Sequence, residues 1–166
     1  MTLTELNKAD IKSAGLFFRQ CCTSSVWEEK MVVGRPYKDE GHLRDYADHC
    51  WGLLSESDYL EAFDGHPKIG DIDSLKSRFK SSQSLARNEQ SSAAEASIET
   101  LERLSWGNTH YEKKFGFIFI VFASGMSAEE MLNILNERIE NTRSEEIANA
   151  AEEQRLIFQL RLRNLL

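Results

Sequence analysis

The chain has 166 residues, 41% of them hydrophobic and 28% charged, and a formal net charge of -7. A chain of this length buries roughly two-thirds of the surface it would expose unfolded, so one soluble domain over residues 1–166 is expected, with no need of a disulfide staple. The acidic balance argues against a nucleic-acid partner, which would need clustered Lys and Arg, and the longest apolar run, residues 115–123, is far too short to span a bilayer.

Helical periodicity dominates from the start. Ile11, Ala14, Phe18 and Cys22 step by three or four, and Ser25-x-x-Glu28 reads as a capping box opening a second helix through Trp27 and Met31. Pro36 closes that element. Leu43, Tyr46, Ala47, Cys50 and Leu54 make a further amphipathic stripe, and a short helix after Ser55 stops at Asp64-Gly65. A long helix is expected from near Leu85 to near Tyr111, with Ala93, Ala94, Ile98, Leu101 and Leu104 inward. Residues 115–123 have no second strand to pair with and read as an extended or helical core segment. Ser127-x-x-Glu130 is another capping box, and the last helix, from about Arg143, carries Ile147, Ala151, Phe158, Leu162 and Leu165 on one face. The fold class is therefore all-α, with about seven to nine helices.

Cys21, Cys22 and Cys50 form no C-x-x-C pair and are expected as free thiols of a reducing compartment. The first ten residues lack the basic-then-apolar order of a secretory leader, and Asn164-Leu165-Leu166 is not a peroxisomal address, so a cytoplasmic location is expected.

The segment Gly65-His66-Pro67-Lys68-Ile69-Gly70-Asp71 fits neither helix nor strand. Glycine and proline would suffice for a plain helix-to-loop turn. They also suit a held catalytic imidazole, because Pro67 pushes His66 out of the helical region while the flanking glycines admit a ligand close to the backbone. An imidazole with a pKa of about 6.5 suits proton transfer at neutral pH. Two further residues stand out: Glu89, near the start of the long helix where a carboxylate is favoured, and Arg161, at the edge of the last apolar stripe. Each also fits an ordinary surface role.

Taken together, residues 63–71 (Phe-Asp-Gly-His-Pro-Lys-Ile-Gly-Asp), Asn88-Glu89-Gln90, Asn108 with Tyr111 and Lys114-Phe115-Gly116-Phe117, and the Ile157 to Leu162 stretch around Arg161 resemble the 2-oxo-4-hydroxy-4-carboxy-5-ureidoimidazoline (OHCU) decarboxylase family. The resemblance runs in order over nearly the whole chain. It implies an all-helical homodimer that decarboxylates a small ureidoimidazoline to (S)-allantoin in urate breakdown, without cofactor or metal. It implies that His66 is catalytic, together with Glu89 and Arg161. It also implies substrate contacts by Pro67, by Ala86, Arg87, Asn88 and Gln90, and by backbone groups of Phe119, Ile120, Val121, Phe122 and Ala123. Ala86 stands where many relatives carry serine, so a hydroxyl contact there is lost or supplied by a neighbour. The pathway raises coupling to a hydroxyisourate hydrolase.

Two other readings compete. His42, Asp45 and His49 share one helix face at spacings that can supply metal ligands, as in a metal-dependent hydrolase. Trp27, Trp51 and Trp106 could anchor a non-catalytic helical interaction module, although aromatics at helical spacing usually serve the core.

Overall fold

The computed structural model describes residues 1–66 and 98–166. Among these, all regular structure is helical: α1 (Leu3–Lys8), α2 (Ile11–Cys21), α3 (Ser25–Val33), α4 (Glu40–Trp51), α5 (Glu56–Asp64), α6 (Ile98–Phe115), α7 (Ala128–Arg138) and α8 (Arg143–Leu165). The expected all-α class and helix number hold. The start of the long helix, with Ala93 and Ala94, lies outside the described residues.

The chain divides into two compact units, Met1–His66 with Ile147–Leu166, and Pro67–Glu146. In the first, α3 packs against α2, α4 and α5. Trp27 is its hub, fully buried, with Phe18 edge-on at 6.0 Å and Phe158 of α8 at 5.0 Å. Trp51 meets the same Phe158 ring at 5.4 Å. Both indoles remain satisfied while buried: Trp27 Nε1 donates to the Ala47 carbonyl at 3.1 Å and Trp51 Nε1 to that of Ala151 at 3.0 Å. Two of the three tryptophans are thus core residues that tie the C-terminal helix to α3 and α4.

Helix starts follow local chemistry closely. Asp10 and Asp39 cap α2 and α4 through their side chains, and the Ser127/Glu130 capping box opens α7 as expected. The start of α3 differs. Its cap is Ser24, one residue earlier than the sequence suggests, because Ser25 is taken by Glu61, whose carboxylate accepts from the Ser25 amide and hydroxyl at 3.0 and 2.9 Å. Glu28 pairs instead with Arg19 of α2 at 2.7 Å. Ile11 and Ile98, expected inward, are 77% and 62% exposed. Ile11 is the first residue of its helix, ahead of the turns that reach the core.

In the second unit α6 packs on α7, and Gly107 permits the approach: a Cβ there would lie 2.5 Å from Leu135 Cδ2. Leu101, Leu104, Tyr111, Met131 and Leu135 are buried. Residues 116–123 contain no helix and no strand, yet Phe117, Phe119, Ile120 and Val121 are buried. Of the extended or helical core segment expected, burial holds and the helical alternative does not.

Candidate active site

The position of His66 is set by the end of α5. That helix begins where Asp58 accepts from the Ser55 amide and hydroxyl at 2.8 and 2.7 Å, and its fully buried Phe63 anchors the last turn. The His66 amide then donates to the Phe63 carbonyl at 3.1 Å, which holds the histidine backbone against the helix end. Gly65 makes room for a neighbour: a Cβ on it would lie 2.0 Å from Thr23 Oγ1, so the glycine admits the Thr23 side chain. The Thr23 hydroxyl lies 3.3 Å from each of the Glu61 and Ala62 carbonyls, where it donates.

The His66 ring is half-buried, and its Nε2 is hydrogen-bonded to Oε1 of Gln154 on α8. Burial pushes its pKa below the ordinary histidine value, the Gln154 bond opposes that shift, and the positive charge of Arg161 adds to it. The imidazole is accordingly neutral at pH 7 and able to accept a proton. Arg161 lies on the same helix, seven residues beyond Gln154, so the two side chains share a face. Its guanidinium donates to the Cys21 carbonyl at 3.0 Å. Burial pushes the adjacent Cys21 and Cys22 thiols up to about 12, so neither supplies a nucleophile at neutral pH.

Residues 119–123, expected to offer backbone groups, belong to the second unit. Gly116, at φ +81°, ends α6 in the left-handed region, its amide donating to the Glu112 carbonyl at 2.8 Å. The chain then needs partners for backbone groups that no helix or sheet supplies. Arg138 of α7 provides one, donating to the Ile120 carbonyl at 2.7 Å with its guanidinium 4.8 Å from the centre of the Phe119 ring. The arginine is itself held by the fully buried Glu146 at 2.8 Å, which also accepts from Tyr111 Oη and from Asn141 Nδ2. Phe119, Ile120 and Val121 are buried, while Phe122 and Ala123 are half-buried.

The structure thus brings His66 and Arg161 to one face of α8 within the first unit, and places the 119–123 stretch in the second. Pro67, Ala86, Arg87, Asn88, Glu89 and Gln90 lie outside the described residues. Gln154 was not foreseen. Its signal is a gap: the apolar stripe of α8 steps from Ala151 to Phe158, skipping the buried position between them, and a polar residue fills that gap.

The competing readings gain little. Among the described residues no group of three or more His, Cys, Asp or Glu side chains is placed to hold a metal ion. His42 Nδ1 accepts from the Lys38 amide at 3.1 Å, and the Tyr46 ring neighbours those of His42 and His49 at 6.5 and 6.3 Å. Of the three tryptophans only Trp106 is exposed, at 68%, stacked on His110 at 5.1 Å.

Comparison with known proteins gives a consistent result. The family model described as OHCU decarboxylase matches residues 7–163. The chain is 34% identical over 148 residues to the uric acid degradation bifunctional protein TTL of Arabidopsis thaliana, covering 89% of this chain and 46% of that protein, so it spans about half of that relative. It is 25% identical over 163 residues to a 2-oxo-4-hydroxy-4-carboxy-5-ureidoimidazoline decarboxylase of Haloferax volcanii, covering 98% and 94% of the two chains. A crystal structure of OHCU decarboxylase in the presence of (S)-allantoin superposes with a TM-score of 0.72 at 34% identity, covering 95% of this chain and 98% of that one.

Proposed function

The chain belongs to the OHCU decarboxylase family, and from that premise we propose that it decarboxylates 2-oxo-4-hydroxy-4-carboxy-5-ureidoimidazoline to (S)-allantoin in urate breakdown. The observation that carries this reading is the neutral, half-buried His66 held by Gln154 with the Arg161 guanidinium nearby, at the position where a family motif surrounds it. The solved relative with (S)-allantoin present supports the product assignment.

The chemistry asks little beyond binding, orientation and proton handling. In the substrate, C4 carries a hydroxyl and the carboxylate, and the neighbouring C5=N imine is an electron sink. As the C4–carboxylate bond breaks and carbon dioxide leaves, its electron pair forms a C4=C5 bond and the imine pair moves to nitrogen, which takes up a proton. The enol then loses its hydroxyl proton and gains one at C5, giving the carbonyl and the stereocentre of allantoin. The sink belongs to the substrate, so this route calls on no external cofactor. His66, interacting with Glu89 directly or through the substrate, takes the hydroxyl proton, and the candidates to deliver the proton to C5 are Glu89 and His66. Arg161 anchors a carbonyl or anionic oxygen of the substrate, for which its planar fork is suited. Pro67, Ala86, Arg87, Asn88, Gln90 and the backbone of Phe119, Ile120, Val121, Phe122 and Ala123 complete binding.

The same reading takes the protein as a cytoplasmic homodimer with one domain over residues 1–166, and the uninterrupted family match supports the last point. Among the described residues no helix is long and apolar enough to cross a membrane. Relatives described as bifunctional proteins of uric acid degradation favour functional coupling to a second enzyme of the route, for which a hydroxyisourate hydrolase is the candidate.

The test is circular dichroism of (S)-allantoin formation from freshly generated substrate. Accelerated appearance of one enantiomer is expected. Only the slow racemic background, with correctly folded protein, would overturn the assignment.

A further inference from the structure

A glutamine in the middle of an apolar stripe needs a reason. Gln154 is fully buried, on the face of α8 that also presents Ala151 and Phe158, where leucine or methionine would pack without any polar group to satisfy. Its Oε1 meets His66 Nε2, while its own Nε2 is buried and has no partner among the described residues. A buried N–H group left unpaired is costly, so the position is not explained by the amide's own satisfaction. Its one hydrogen bond among the described residues is to the imidazole.

We propose that Gln154 is a positioning residue of the decarboxylation: its carbonyl oxygen accepts from His66 Nε2–H, fixing the neutral imidazole in that tautomer and presenting the Nδ1 lone pair to the substrate. The logic is that of donors and acceptors. A carbonyl oxygen can only accept, so the ring nitrogen facing it must carry the proton, and the lone pair is left on the other nitrogen. When Nδ1 takes the hydroxyl proton of the substrate, the ring becomes an imidazolium and the same Nε2–H···O bond becomes charge-assisted and stronger. Gln154 thereby favours the protonated intermediate without adding a charge of its own. Arg161 lies two turns further along the same face, so one helix sets the ring orientation and supplies the anion-binding group.

This inference rests on the proposed role of His66 but is measurable apart from it. Nitrogen-15 NMR of the imidazole reads the tautomer directly in resting protein, and the chain has only four histidines, so His66→Asn assigns the signal. The wild type is expected to show a protonated Nε2 and a bare Nδ1. Gln154→Leu, which keeps the volume and removes the acceptor, should give a mixed tautomer population. It should also lower kcat by about ten- to a hundred-fold, by analogy with the loss of a hydrogen-bond partner that orients a metal-bound histidine, with little change in KM. Gln154→Glu keeps the acceptor and should restore the Nε2–H tautomer while moving the acid limb of kcat/KM to higher pH. Among the described residues the charged group that acts on the His66 ring is Arg161 of α8, which in turn acts on Cys21 and Cys22, with Glu61 of α5 acting on Cys22, and neither variant changes any of these residues.

A wild-type ring protonated at Nδ1 instead, or a folded Gln154→Leu protein with unchanged tautomer, kcat and pH limb, would overturn the inference even if His66 is catalytic. If Gln154→Leu fails to fold, the wild-type spectrum and Gln154→Glu decide. Full turnover by His66→Asn would remove the catalytic reading while the tautomer measurement still reported whether the pair exists.

Discussion

The two units hold their proposed functional groups in opposite ways. In the first, an aromatic core of Trp27, Trp51 and Phe158 fixes α8, and α8 then presents Gln154 and Arg161 from a regular surface. In the second, an irregular backbone segment is held by a buried ionic cluster of Arg138, Glu146 and Tyr111. Side chains can be aimed by a helix, whose own backbone is already satisfied. Backbone groups outside a helix or sheet need other supports, and for residues 119–123, the stretch proposed to meet the substrate, those supports carry charge. The first unit should therefore tolerate loss of its functional groups, whereas the second should be sensitive to loss of its supports.

The strongest way to break this contrast is His66→Asn. Turnover should fall by about a hundred- to ten-thousand-fold, the range for losing a general acid–base group, with the thermal midpoint nearly unchanged. A large loss of stability with intact specific activity would reverse the assignment. Next in size is Arg138→Ala. It removes the cationic partner of the fully buried Glu146, which keeps its hydrogen bonds from Tyr111 and Asn141, and should cost about 3–5 kcal/mol in denaturant unfolding, together with weaker substrate binding if residues 119–123 contact the substrate. A cost below about 1 kcal/mol would mean that the cluster behaves like a surface pair. Gly65→Ala should cost about 1–3 kcal/mol through the clash with Thr23; recovery in the Gly65→Ala/Thr23→Gly double variant, which also removes the Thr23 Cβ at 2.7 Å, would confirm the cause.

A smaller effect concerns pH. The folded pKa of His66 lies below its unfolded value, so in the interval between them the unfolded chain binds more protons than the native one. Its contribution to stability is complete above the unfolded value of about 6.5 and is lost as pH falls from there through the folded value. The stability difference between wild type and His66→Asn, small at neutral pH, should accordingly shift against the wild type as the pH falls, and the acid limb of kcat/KM should lie below the ordinary histidine value. Smallest of all, Trp106→Ala should change monomer stability by no more than about 0.5 kcal/mol, because the ring is 68% exposed. A marked shift in sedimentation would then assign Trp106 to the subunit interface.

What could be read from the sequence was local. Three- and four-residue spacing defined the helices, Ser127 and Glu130 marked a helix start, and Pro67 beside His66 singled out a histidine that could not be helical. These signals come from neighbours within a few positions, where backbone sterics and capping act. Tertiary structure decided what depends on distant partners. Glu61 took Ser25 and moved the α3 cap to Ser24, and Thr23 determined why residue 65 is glycine. Gln154, 88 positions from His66, became the partner of the imidazole. The sequence marked that position only by a break in an apolar stripe, since a polar residue in a core stripe implies a partner without saying which one. The fold supplied the partner, because only packing brings the end of α5 against the face of α8.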